Sequence, residues 1–302
     1  MRFPMTRATP LRVAAVSVAF VLAAACTAKA DSPKAAGKTP PASASPTPEH
    51  RARALLEKQL RALPADDAAL MSTFAKDAVV MLPRVAAKLE PDLELGGQIA
   101  GMNPHATMKS AKLGKLVAGG NASMVWLAAE LEIVVLSAEP GEKPSSATHT
   151  VRAVELLDGA ADWKVVAASF TEVRPLEQHR DSLGPIPSPT APGPLVKLLA
   201  VPDALADSLS GDPVLVFGTD AAERAVGQVA AKSLLAKWRK LPLAIEEADK
   251  VREVRTAAWG YAMADVNIPK PGGAPFRMSA FLVAVPGPGG AWSVVAVNYG
   301  AL

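Results

Sequence analysis

Cysteine is almost absent: Cys26 is the only one in 302 residues, so no internal disulfide framework and no thiolate cluster can form. Histidine is scarce as well. His50, His105, His149 and His179 share no ligand spacing, and no metal or cofactor is implied. Tyrosine occurs only as Tyr261 and Tyr299. Neither a Gly-x-Ser-x-Gly elbow nor a Gly-x-Gly-x-x-Gly loop after a strand is present, which removes a common hydrolase nucleophile and the dinucleotide cradle. Charge of one sign is missing too. Three of the 32 basic residues (Arg2, Arg7, Arg12) precede Cys26 and none of the 29 acids does, which leaves 29 of each sign. A chain so balanced has no electrostatic footprint for nucleic acid or an anionic membrane surface.

What is present at the N-terminus reads as an export signal. Those three arginines precede Val13 to Ala25, thirteen uncharged and mostly apolar residues, well short of the roughly 20 that a spanning helix needs. The run ends in Leu22-Ala-Ala-Ala-Cys26, which resembles a bacterial lipobox with its leucine one place early. Residues 1–25 are expected to be a lipoprotein signal peptide and Cys26 the acylated residue. The alternative is Ala-x-Ala cleavage beside an incidental thiol. The chain is then exported and lipid-anchored to the cell envelope, on the periplasmic face of the outer membrane if the cell is diderm.

Residues 26–48 are rich in Ala, Pro, Ser and Lys without periodicity, the composition of a disordered tether. A second breaker-rich segment, 175–194, carries prolines at 185, 187, 189, 192 and 194 and reads as a linker. With half of the sequence hydrophobic, the remaining 49–174 and 195–302 can each bury a core.

These two segments read as copies of one another. Asp77 to Pro83 corresponds to Asp212 to Gly218, and Ser123 to Ile133 to Ala258 to Ile268, both at an offset of 135. Trp163 to Phe170 corresponds to Trp292 to Tyr299 at an offset of 129. In the first copy Thr47-Pro48-Glu49 caps a helix carrying Leu55, Leu56, Leu60 and Leu63 at helical spacing. Asp66-Asp67 open a second, short helix, and a brief strand follows at Val79 to Leu82. A weakly helical stretch is expected up to about Val117, then long strands from about Met124, Val151 and Trp163. In the second copy Asp220 and Glu223 resemble a capping box, with Val226, Val229, Ala230 and Leu234 as the buried stripe. Helices followed by a meander of strands define the α+β class.

Phe74-AKDAVVM-Leu82 and Asp162-WKVVAASF-Thr171 resemble the signature segments of the SnoaL-like branch of the nuclear-transport-factor-2-like superfamily. The first copy resembles it over roughly 60–172, and 212–300 joins through the repeat. The resemblance implies two cone-shaped domains, each a curved antiparallel sheet wrapped against N-terminal helices around a hydrophobic pocket. Some such proteins are enzymes, and many only bind ligands or pair with one another.

Catalytic groups are hard to assign. The first copy has no tyrosine, and the polar position before the last aromatic of the final strand holds Ser169 and Asn298, neither a useful base near pH 7. Glu130 and Glu132 alternate onto one strand face, where a carboxylate pair could serve glycoside hydrolysis. The apolar opposite face (Val125, Leu127, Ala129, Leu131, Ile133, Val135) must be the core side, so the glutamates share an outer face with Trp126 and are expected to be solvated. The leading function is non-catalytic binding of a small apolar ligand or an envelope protein. A SnoaL-like isomerase, cyclase or hydrolase in the first cone is the alternative, and a structural role in envelope assembly is a third. Trp126 and Glu130 in the first copy, with Trp259, Tyr261 and Asp265 in the second, mark the outer faces. Three large aromatics there favour an intramolecular pseudo-dimer, with Trp126 and Tyr261 close to a pseudo-twofold contact.

Overall fold

The computed structural model describes residues 46–82, 86–88, 95–100, 106–137, 143–174, 193–245, 251–270, 272–273 and 275–301. The signal, Cys26, most of the tether and 175–192 lie outside the described residues.

The N-terminal helix, α1 (Pro48–Ala62), forms where the cap predicts it: Thr47 Oγ1 accepts from the His50 amide at 3.2 Å, and Pro48 occupies the first turn. Its buried stripe is Ala52, Leu56, Gln59 and Ala62. A second helix, α2 (Asp67–Met71), is capped by Asp66, whose Oδ1 accepts from the Ala69 amide at 2.8 Å. Asp67 Oδ1 accepts from the Gly96 amide at 2.8 Å and ties down α3 (Leu95–Ile99).

The first sheet consists of β1 (Phe74–Met81), β2 (Ala86–Lys88), β3 (Ala106–Gly120), β4 (Met124–Ser137), β5 (Ser145–Asp158) and β6 (Lys164–Glu172), ordered β2-β1-β6-β5-β4-β3. After α4 (Pro194–Leu199) and α5 (Pro202–Ser208) come β7 (Leu215–Phe217), β8 (Arg224–Val226), α6 (Gln228–Trp238) and β9 (Ala244–Ile245). They are followed by β10 (Val251–Arg255), β11 (Gly260–Ile268), β12 (Phe276–Pro286) and β13 (Trp292–Ala301). The second sheet reads β8-β7-β13-β12-β11-β10, with β9 paired to β11. The two orders correspond strand for strand. Each sheet is antiparallel except for one parallel pair, β1 with β6 and β7 with β13. The molecule is thus α+β, two cone-shaped units of curved sheet wrapped against helices.

Three expectations of local structure need correction. The stretch expected to be weakly helical up to Val117 is the 15-residue strand β3, paired to β4 from Ala106–Ser137 to Gly120–Val125. Its lysines and alanines favour helix in isolation, but cross-strand pairing outweighs that preference. Lys109, Lys112 and Lys115 on this outermost strand discourage pairing with another chain. In the second unit the buried face of α6 is Ala231, Leu234, Leu235 and Trp238, whereas Val226 belongs to β8 and Val229 is 86% exposed. Finally, Val79, Val80 and Met81 pair with Ala167, Ala168 and Ser169, and Leu215, Val216 and Phe217 with Ala296, Val297 and Asn298. Taken with the offset of 129 in the last strand, that sets β1 against β7 at 136 rather than 135. A slip of one would exchange the two faces of the strand.

Each sheet buries one face under its own helices. Val125, Leu127, Ala129, Leu131, Ile133 and Val135 join Leu56, Leu70, Phe74 and Phe170 in the first core. Ala262, Ala264 and Val266 join Leu195, Leu235, Trp238 and Tyr299 in the second. Tyr299 is structural: its hydroxyl donates to the Leu199 carbonyl at 2.9 Å and its ring meets Trp238 edge-on at 4.9 Å. The other faces of both sheets contribute to a third buried cluster containing residues of β1, β4, β5 and β6 together with β7, β11, β12 and β13.

Candidate functional site

The third cluster gathers three of the residues singled out by pattern. Trp126, Trp259 and Tyr261 are 2%, 7% and 3% exposed within it. Trp126 lies across Gly119 of β3, where a Cβ would come within 2.8 Å of the indole nitrogen. Trp259 stacks on Tyr261 with ring centroids 6.2 Å apart. Burying such rings is worth about 1.5–3 kcal/mol each.

Glu130 corrects the expectation of a solvated pair. It is half-buried, 3.3 Å from Arg152 Nε and 3.7 Å from Arg224 Nε, while Glu132 is exposed. Glu130 and Arg152 face each other across β4 and β5, and the corresponding pair across β11 and β12 is Asp265 and Ser279, both fully buried. Arg152 is 1% exposed and reaches out of its own sheet. Its Nη1 donates to the carbonyls of Gly218 at 2.7 Å and Asp220 at 2.9 Å, its Nη2 to that of Ala221 at 3.2 Å, and it stacks 4.7 Å over the Phe217 ring. Burial lowers the guanidinium pKa, and Glu130 opposes that. The loop that receives it is closed by Glu223, whose Oε2 accepts from the amides of Thr219 and Asp220 and whose Oε1 accepts from Trp238 Nε1. Asp220 and Glu223 therefore shape an arginine socket rather than cap a helix, since α6 begins only at Gln228.

Ser169 and Asn298, the corresponding positions of β6 and β13, are directly bonded: Asn298 Nδ2 donates to Ser169 Oγ at 3.1 Å. Thr171 Oγ1 donates to Asn298 Oδ1 at 3.2 Å. Both residues are fully buried on the outer faces and not in a cone. Gly300 occupies the place that corresponds to Thr171, and a Cβ there would meet Thr171 Cβ and Cγ2. Gly300→Ala is expected to cost about 1–3 kcal/mol by urea unfolding. Adding Thr171→Gly should recover part of it, and an unchanged midpoint for the single variant would count against this contact.

The interior of the first cone holds a carboxyl that the sequence reading passed over. Glu155 is fully buried, and its Oε2 accepts from Gln59 Nε2 at 3.1 Å. The same amide donates to Thr73 Oγ1 at 3.2 Å, and Thr73 in turn donates to the Leu70 carbonyl. Glu155 Oε1 has no partner among the described residues. Burial pushes the carboxyl up to about 8, with the Gln59 bond opposing it, so it carries its proton at neutral pH. The signal was in the alternation: Val151, Ala153, Glu155 and Leu157 share the core face of β5, and Gln59 lies on the buried stripe of α1.

No family model matches this chain, and no curated protein does. Among solved structures, a ketosteroid isomerase-like protein from Erwinia carotovora atroseptica matches at 19% identity with a TM-score of 0.33, covering 41% of this chain and 94% of its own. An NTF2-like protein from Cytophaga hutchinsonii matches at 15% identity and a TM-score of 0.31, covering 40% of this chain and 95% of its own. A complex of Mtr2 with the Mex67 M domain from Candida albicans contributes a chain at 11% identity and a TM-score of 0.32, covering 41% of this chain and 95% of its own.

Proposed function

We propose that this chain is an exported lipoprotein, acylated at Cys26, with tandem SnoaL-like domains of the nuclear-transport-factor-2-like superfamily. In this reading 49–174 and 195–302 form an intramolecular pseudo-dimer that binds a small apolar ligand or a protein partner without turning it over. The family assignment is supported by the two signature segments and by the matching strand orders of the two sheets. The pseudo-dimer is supported by the third cluster, by the Arg152 socket and by the bond between the corresponding Ser169 and Asn298.

The observation that carries binding over catalysis is the company of Glu155. Its one hydrogen-bond partner among the described residues is the Gln59 amide, which also donates to Thr73, and 49–174 contains no tyrosine, so no second acid–base group stands beside it among the described residues. One observation favours the alternative of an isomerase, cyclase or hydrolase in the first cone: a neutral buried carboxylic acid can donate a hydrogen bond to an oxyanion.

Native mass spectrometry of protein extracted from its own membranes tests this reading. The expected spectrum shows a chain starting at Cys26 with a lipid adduct absent from Cys26→Ala, and a non-covalent mass lost on denaturation. A bare chain that fractionates as Cys26→Ala does contradicts the anchor. A bound species released chemically altered supports the enzyme instead.

A further inference from the structure

Three hairpin turns enclose a groove of about 440 Å³ outside both cones, within the size range of small-molecule sites. Ser123 comes from the β3–β4 turn, Asp158 and Trp163 from the β5–β6 turn, and Thr256 and Trp259 from the β10–β11 turn. The remaining lining is four alanines and a glycine, small side chains that leave the space open.

Its rim is rigid. Thr256 Oγ1 accepts from the amides of Ala258 and Trp259 and donates to the Trp259 carbonyl, which uses up that hydroxyl and fixes its turn. Trp259 is held by its stack on Tyr261. Trp163 and Asp162 both adopt left-handed backbone, with φ of 59° and 57°. That conformation is unfavourable for a bulky residue, and here it lays the indole against Gly159, where a Cβ would stand 3.2 Å from Trp163 Cζ2.

The electrostatics select the sign of the occupant. Asp158 is the single ionisable residue among the ten that line the groove, so the lining itself carries a negative charge and no positive one. Asp158 Oδ1 accepts from the Ala160 amide at 3.0 Å, which orients the carboxylate and leaves Oδ2 without a partner among the described residues. The Trp163 ring already receives one cation, the Arg51 guanidinium at 3.9 Å from its centroid.

We propose that this groove binds a small organic cation of the quaternary ammonium class, with Asp158 as counter-ion and Trp163 as its aromatic wall. The site is separate from the cone interior and stands whether or not the first cone holds a ligand.

Calorimetric titration of the full chain with choline, against its neutral isostere 3,3-dimethylbutan-1-ol, tests the proposal. Choline is expected to bind about tenfold or more tightly than the isostere. Asp158→Asn, which keeps the turn's hydrogen bond, should weaken choline about tenfold, and Asp162→Asn, outside the groove, should leave it within about twofold. If Asp158→Asn fails to fold, discrimination between choline and the isostere in the unmodified chain decides alone. Phosphatidylcholine vesicles in a parallel arm, with Cys26→Ala in every chain so that no acyl anchor contributes, separate the sources of the cation: sedimentation lost in Asp158→Asn assigns a lipid headgroup, and choline binding without sedimentation assigns a free solute. Equal binding of choline and isostere, no binding of either, or choline binding untouched by Asp158→Asn would overturn it.

Discussion

Arg152→Ala is expected to destabilise the protein by about 3–5 kcal/mol, the usual cost of removing one partner of a buried ion pair. The change leaves Glu130 half-buried with only the more distant Arg224, and takes the donor from the carbonyls of Gly218, Asp220 and Ala221. Each orphaned acceptor that water does not reach costs roughly 1–3 kcal/mol, although relaxation of the loop will recover part. Arg152→Lys should also fall short, because an ammonium lacks the planar fork that spreads its donors over several carbonyls. Urea unfolding checks both. A loss below about 1 kcal/mol for the alanine variant would mean that the socket does not hold the arginine in solution.

The second large effect is a dependence of stability on pH that runs opposite to that of most carboxylates. Glu155 is raised from an ordinary 4.5 to about 8 in the folded chain, chiefly by burial. Between those values the folded state keeps a proton that the unfolded state releases. The contribution of this group is therefore fully present below pH 4.5 and is lost as pH rises towards 8, at about 1.4 kcal/mol per pH unit and several kcal/mol in all. Glu155→Gln removes the titration. The variant should gain on the parent steadily from pH 5 to pH 8 when urea midpoints are compared. Parallel curves would show that Glu155 is either hydrated or ionised in the folded protein.

The parts of this fold legible in the sequence were those where local chemistry and tertiary context agree. Thr47-Pro48 and Asp66 announce their helices because caps act within one turn, and β4 reads correctly because strict alternation from Val125 to Val135 separates its faces. β3 was hidden because its lysines, alanines and leucines suit a helix, and only β4 makes a strand of them. The one-residue offset between β1 and β7 was hidden because valines on both faces of a doubly covered strand carry no parity signal.

The site residues divide in the same way. Parity placed Trp126, Trp259 and Tyr261 on the outer faces, and Glu130 with them. What parity omits is the partner: Arg152 is a residue of the first sheet whose socket lies 66 to 71 positions away in sequence. Glu155 was readable as a polar residue in a core register but was passed over beside the more conspicuous Glu130 and Glu132.

The central claim is that the outer faces of the two sheets hold each other within a single chain. It is tested most directly by placing a protease site within 183–191, cutting the folded protein, and measuring its mass in solution by light scattering. The pseudo-dimer predicts that the two pieces stay together at the mass of the uncut chain and part only in denaturant, since the third cluster and the Arg152 socket do not depend on the peptide between them. Separation into two folded pieces under native conditions would contradict it.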